Sequence, residues 1–238
     1  MLTAKTIATM LPLFIMAGVA TAGFTTDDPY WWHNNFSQLG DSTTFAARMF
    51  NSTIILAGIC VIILSYFAIS ELITTYRMRR RWQSESAQAP GAATVILHFW
   101  PRILCMASLL ALSGLFLSGI GIFRYSMHPI IHNTCARSIA VTMGLLLIAL
   151  PWLAPQLSKA MFVVSDLIVL VIAVVCVHWL SGHNTMTNVE ALACALFLGW
   201  FIVFARQIAA LESDRIYVQM TAANPASAAQ ESRLSPQS

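Results

Sequence analysis

The stretch Trp31-Trp32-His33-Asn34-Asn35-Phe36-Ser37-Gln38-Leu39-Gly40-Asp41 sets indoles, an imidazole, amides, a hydroxyl and a carboxylate between two long apolar runs. Side chains of these kinds offer three sorts of chemistry. A histidine oriented by a carboxylate can serve as a general base, and His132 with Asp41 is the pair this sequence offers for that role. An arginine can grip a phosphate or carboxylate with two parallel N–H bonds. Arg48 and Arg137 are the candidates, with His33, Ser37 and Asn51 as polar neighbours. Imidazoles can also hold a metal, and His128 and His132 have the i,i+4 spacing that faces two side chains alike on a helix. Zinc needs three or four ligands, however, and neither an HExxH run nor a cysteine-rich set accompanies them. No metal or other cofactor is expected. Ser37, Ser126, Ser138 and Cys135 are all available as nucleophiles, so none is singled out, and no G-x-S-x-G turn occurs.

These residues are far apart in the chain, so helices must bring them together. Of 238 residues, 58% are hydrophobic and 10% charged, with a mean hydropathy of +0.71. A soluble domain carries about 25% charged residues, so this chain belongs to the membrane class. Its net charge of +3 is no signal for nucleic acid, and no nucleic-acid partner is expected. Apolar stretches long enough to cross a bilayer place six spans: 6–24, 43–76, 95–123, 129–153, 160–180 and 189–210. The fold class expected is all-α, a six-helix transmembrane bundle of residues 1–215 with both termini cytoplasmic and a disordered cytoplasmic tail, 216–238. Ala20-Thr21-Ala22 has the small-residue pattern of a signal-peptide cleavage site, but the segment is read as a retained first span.

Orientation follows the Lys/Arg bias. One set of flanks holds Lys5, Arg77, Arg79, Arg80, Arg81, Arg102, Lys159, Arg206 and Arg215, against Arg48, Arg124 and Arg137 on the other. The first set is the cytoplasmic one, and Tyr76-Arg77-Met78-Arg79-Arg80-Arg81-Trp82 is its strongest determinant and an attractor of anionic headgroups. His33, His128, His132, His178 and His183 then share the outer face with Asp27, Asp28, Asp41 and Glu190. Trp31 and Trp32 suit an interfacial aromatic belt.

Local signals support this map. Asp41 or Ser42 can cap the second helix, Pro129 suits the first turn of the fourth, and Thr187-Asn188-Val189-Glu190 reads as a capping box for the sixth. Residues 83–94 read as a loop. Ala107, Ala111, Gly114, Ser118 and Gly121 form a small-residue stripe on the third helix, suited to close packing or to a homo-oligomer seam. Asp166 lies inside the fifth span, where an unpaired carboxylate costs about 2.5–3.5 kcal/mol. An intramembrane ion pair with Arg102 is expected to offset that cost.

With these residues in place, the chain resembles a family of uncharacterised bacterial six-span membrane proteins, distantly similar to the damage-regulated autophagy modulators. The resemblance rests on Ser37-Gln38-Leu39-Gly40 after the first span, Arg48 and Asn51 opening the second, and His132 after the third. Near the last span that family often carries an acidic–arginine pair, whereas this chain has Gly199 and Arg206 without an adjacent glutamate. The resemblance implies a fold rather than a reaction.

Three functions fit. The first is a plasma-membrane protein whose outer face binds an anionic lipid or envelope-precursor headgroup through Arg48, Arg137, His33, Ser37 and Asn51. It would modify that headgroup if His132 and Asp41 act as base and orienter. The second is a non-catalytic subunit of a membrane complex, docked on a partner protein or a second copy through the third helix. The third is a small-solute or proton-coupled transporter, disfavoured because no ionisable residue lies between Asp166 and His178 in the fifth span.

Overall fold

Lipid offers no water to an apolar run, so the backbone must satisfy itself, and a helix does this within one segment. The computed structural model of the chain, which describes residues 2–33, 35–85 and 98–223, is all helical, with no strand among the described residues. Its helices are α1 (Leu2–Thr25), α2 (Phe45–Glu85), α3 (Phe99–Ile122), α4 (Pro129–Leu153), α5 (Lys159–Leu180) and α6 (Met186–Ala223). Two short 3-10 turns, Trp31–His33 and Phe36–Gly40, lie between α1 and α2.

Helices α2 to α6 each contain a segment long and apolar enough to cross a membrane: Phe45–Met78, Phe99–Ile122, Pro129–Leu153, Lys159–Leu180 and Met186–Tyr217. The chain is therefore a multi-pass membrane protein by length and composition. The apolar part of α1 is shorter, Thr9–Thr25. It still packs into the bundle: Leu11 and Ile15 join the main core, and Ala22 is sealed against Leu39, Phe50 and Ile54. Helix α2 overshoots its expected end at Tyr76, and α6 continues to Ala223, past the expected start of the tail. The rest of that tail, and residues 86–94 of the expected loop, lie outside the described residues.

Consecutive helices run antiparallel, so the molecule has two ends. At one, Asp41 accepts from the Ser126 backbone and Glu190 accepts from the Phe36 backbone, which ties the α1–α2 connection to the α3–α4 connection and to the start of α6. We call this the Trp31 end. At the other, Tyr76 stacks on Phe99 at 3.7 Å, and Glu71 of α2 pairs with Arg215 of α6. We call this the Arg77 end. The connections expected to share one side of the membrane thus share one end of the fold.

Small residues set the tightest contacts. A Cβ on Gly58 would lie 2.4 Å from the Gly114 carbonyl oxygen, and one on Gly121 would lie 2.7 Å from the Asn51 carbonyl oxygen. Ser118 donates to the Ile55 carbonyl at 3.2 Å. The Gly114, Ser118 and Gly121 part of the α3 stripe is therefore filled by α2 of the same chain rather than left as a seam for a second copy. On its other side α3 meets α4, where Ser113 donates to Thr142 at 2.9 Å and Gly119 abuts Cys135. Trp200 of α6 donates to Ser165 of α5 at 2.9 Å. Interhelical hydrogen bonds of this kind contribute about 0.6 kcal/mol each in membranes.

Helix starts depart from expectation in two places. Helix α2 is capped by Thr44, which accepts from Ala47, because Asp41 is drawn away to Ser126. Helix α6 begins two residues earlier than the Thr187 capping box implies, with the Thr185 hydroxyl accepting from Asn188. Thr187 is instead buried inside the helix, and Glu190 reaches out to Phe36.

Candidate functional site

The Trp31 end is built by a chain of local bonds. Asp28 accepts from the Tyr30 backbone at 2.8 Å, turning the chain after α1. Trp31 then lies against Gly23 and stacks on Phe36, with ring centroids 6.1 Å apart. Trp32 donates to the Pro29 carbonyl and carries His33 on its face at 3.6 Å. His33 is exposed. Asn35 caps the second 3-10 turn, accepting from Ser37 Oγ at 2.7 Å and from the Gln38 backbone at 3.1 Å. Leu39 drives into the bundle, 1% exposed.

The Ser37-Gln38-Leu39-Gly40 turn needs its glycine. Asn51 of α2 donates to the Gly40 carbonyl at 3.0 Å, and a Cβ on Gly40 would lie 2.3 Å from Asn51 Oδ1. Asp41 Oδ1 accepts from the Ser126 backbone at 2.6 Å, while Arg124 donates to the Ser42 carbonyl at 3.2 Å. Two oppositely directed bonds thus clasp the first connection to the third.

Glu190 completes the clasp. Its Oε2 accepts from the Phe36 backbone at 2.7 Å, placing a carboxylate where the second 3-10 turn begins. A hydrogen bond to a charged group contributes about 1.5–3 kcal/mol. Glu190→Ala is expected to free the Phe36 amide and speed hydrogen exchange across residues 36–41 by roughly tenfold, the equivalent of about 1.4 kcal/mol. Exchange in the α3–α4 core should not change. Mass-resolved hydrogen exchange checks this; unchanged exchange at 36–41 would mean the clasp does not depend on Glu190.

His132 is buried, and its Nδ1 lies 2.7 Å from the Phe123 carbonyl at the end of α3. That carbonyl accepts, so Nδ1 carries the proton. The expected pairing of His132 with Asp41 does not form: Phe123 orients the imidazole, and Asp41 serves Ser126. The geometry is that of a helix-end lock between α3 and α4. His128 precedes Pro129 and meets the Phe123 ring edge-on, whereas His132 meets Tyr125 edge-on. Their i,i+4 spacing therefore builds no ligand pair, and no cluster of three metal-ligating side chains occurs among the described residues.

Arg48 and Arg137 are exposed, and among the described residues neither side chain has a hydrogen-bond or ion-pair partner. On α4, Arg137 shares an exposed face with Thr134, Val141 and Ile148, while His132, Cys135 and Thr142 form the buried face. Arg137 and His132 thus look in different directions and do not line one pocket.

The expected Asp166–Arg102 pair also does not form. Asp166 is exposed on α5, whose buried residues are Met161, Ser165 and Ile168. Arg102 lies over the Trp152 ring at 5.1 Å. A carboxylate–arginine pair between α2 and α6 joins Glu71 to Arg215, with Nε–Oε1 at 2.8 Å and Nη2–Oε2 at 3.1 Å, and Thr75 donating to Glu71. Glu71 is not among the residues singled out from the sequence, although a lone carboxylate inside the second apolar run is a visible signal.

Searches of protein-family models, of curated proteins and of solved structures find no significant match to this chain.

Proposed function

We propose that the protein binds the headgroup of an anionic lipid or envelope precursor at its Trp31 end, through Arg48 and Arg137, on the extracytoplasmic side of the plasma membrane. The observation that carries this reading is the contrast at that end. Ser37, Asp41, Asn51, His132 and Glu190 are all engaged in holding the connections, while Arg48 and Arg137 stand exposed with no partner among the described residues. An arginine near a membrane surface extends its guanidinium to the headgroup layer and meets phosphate there with strong paired N–H bonds. Binding is favoured over hydrolysis or transfer, because His132 is buried and bonded to Phe123. Kinship with the six-span family belongs to the same proposal, since Gly40 and Asn51, two of the resembling residues, act together in one turn.

Native mass spectrometry of detergent-purified protein tests it. Wild type is expected to retain phosphatidylglycerol in preference to phosphatidylcholine. The double variant Arg48→Ala/Arg137→Ala should bind phosphatidylglycerol roughly tenfold more weakly, as loss of charge-assisted bonds implies. Equal retention by the double variant and wild type would sink the reading.

A second reading, a non-catalytic subunit of a membrane complex, draws on another surface. From Val169 to Leu180, α5 has no buried residue, so its Trp31-end half is open to a partner helix. Crosslinking from Val174 to another protein, rather than to lipid, would favour it.

A further inference from the structure

A second polar strip lies at the opposite end, across the feet of α2, α3 and α4. Arg77 sits over the Trp100 ring at 5.8 Å, and Arg102 sits over the Trp152 ring at 5.1 Å. Both tryptophans are about half exposed, 52% and 49%. Each indole holds a guanidinium by its π-face, an attraction that strengthens as water is excluded, so the edges of both cations are pre-oriented.

Arg102 has an unmet need. Its Nε is closed to solvent and has no hydrogen-bond partner among the described residues. A buried donor left unpaired is costly. The side-chain oxygen of Gln156 is in the same condition, buried and without a donor. Gln156 lies in the connection that leaves α4 one turn after Trp152. The foot where α3 meets α4 therefore carries one cationic donor, Arg102 of α3, and one neutral acceptor, Gln156 just after α4, the Nε of one and the Oε1 of the other shut from water and unpaired among the described residues. Asp166, the carboxylate that could have neutralised Arg102, is turned outward on α5.

We propose that this foot is a lipid-headgroup site distinct from the Trp31 end, and that it takes a phosphodiester which also carries a hydrogen-bond donor. The phosphate oxygens accept from Arg102. A headgroup hydroxyl or ammonium donates to Gln156 Oε1. Trp152 packs against the glycerol and upper chain, as interfacial indoles do. Arg77 on Trp100 supplies a second positive charge along the same strip. The proposal does not rest on the Arg48 and Arg137 reading.

Native mass spectrometry of the full chain in detergent, titrated with four lipids, tests it. Phosphatidylglycerol offers phosphate and hydroxyl, phosphatidylethanolamine phosphate and ammonium, phosphatidylmethanol phosphate without a donor, and phosphatidylcholine a blocked ammonium. One lipid equivalent of the first two is expected to bind more tightly than either of the last two. Arg102→Ala should weaken that equivalent roughly tenfold and leave any lipid lost from Arg48→Ala/Arg137→Ala untouched. Gln156→Leu should abolish the preference for phosphatidylglycerol over phosphatidylmethanol while retaining phosphate binding. Arg102→Lys, which keeps the charge but not the planar fork, should recover only part of the affinity. A preference for phosphatidylglycerol over phosphatidylethanolamine would assign the donor to a hydroxyl, and the reverse to an ammonium. Binding that is indifferent to Arg102, or indifferent among the four lipids, would overturn the proposal.

Discussion

Arg215→Ala is expected to lower the folded stability of the protein by about 3–5 kcal/mol, the usual cost of breaking a buried ion pair from one side. Glu71 would then be left in the bundle with its carboxylate bonded, among the described residues, by Thr75 alone at 3.3 Å. The two partners are 10% and 16% exposed, so screening by solvent is slight. Glu212, 3% exposed and one turn before Arg215 on α6, would add a second uncompensated carboxylate to the same region. Glu71→Leu alone should be similarly damaging, since Arg215 is then the orphan. The double variant Glu71→Leu/Arg215→Met should recover most of the loss, because a packed apolar pair of like volume avoids the desolvation cost entirely. Thermal unfolding midpoints in a mild detergent, with the four proteins forming a double-mutant cycle, read this directly. Additive single losses in the double variant would show that Glu71 and Arg215 act independently, contrary to their bidentate geometry.

Gly58→Val should be as harmful for a steric reason. Its Cβ would stand 2.4 Å from the Gly114 carbonyl oxygen and 2.2 Å from Ser118 Oγ. The first of these is backbone and cannot rotate away, so α2 and α3 must separate. Overpacking a closed contact costs about 1–3 kcal/mol, and separation also breaks the bond from Ser118 to the Ile55 carbonyl. Gly144→Ala and Gly199→Ala are the matched controls, as nothing lies within 4 Å of a Cβ at either position. Each should be neutral or should stabilise by about 0.5–1 kcal/mol through helix propensity. The yield of monodisperse protein on size exclusion, with the same unfolding midpoints, separates the two classes. If Gly58→Val behaves like the controls, the close crossing of α2 and α3 is not a feature of the folded protein.

How much of this could be read from the chain depends on which physics fixed it. Helix existence was legible, because a long apolar run in lipid has few alternatives. Pro129 and Leu153 bound α4 as expected, and α3 lies between α2 and α4. The small residues Gly114, Ser118 and Gly121 were visible as a close-packing face, but not the identity of the helix that fills it. Helix rotation was the illegible quantity. In water a polar stripe marks the outer face, whereas in lipid the outer and inner faces are both apolar. Nothing therefore told that Asp166 turns outward while Glu71 turns toward Arg215, or that His132 and Arg137 occupy different faces of α4. The polar residues of the Trp31 end were legible as a group. Their partners were not, because backbone amides such as Phe36 N–H and Ser126 N–H leave no trace in side-chain chemistry. Thr185 displaced Thr187 as the cap of α6 for a related reason. Glu190 is needed at Phe36 and cannot serve a box as well.

At the Trp31 end the loop side chains fasten the fold, and the proposed function has Arg48 and Arg137 meet lipid there. The most direct measurement is photocrosslinking from a photoreactive side chain placed at Thr134, which shares the exposed face of α4 with Arg137. In vesicles holding equal amounts of labelled phosphatidylglycerol and phosphatidylcholine, capture should favour phosphatidylglycerol. The bias should vanish with Arg48→Ala/Arg137→Ala and persist with His132→Asn. Unbiased capture by the parent protein, or a bias lost with His132→Asn but kept without the two arginines, would contradict it.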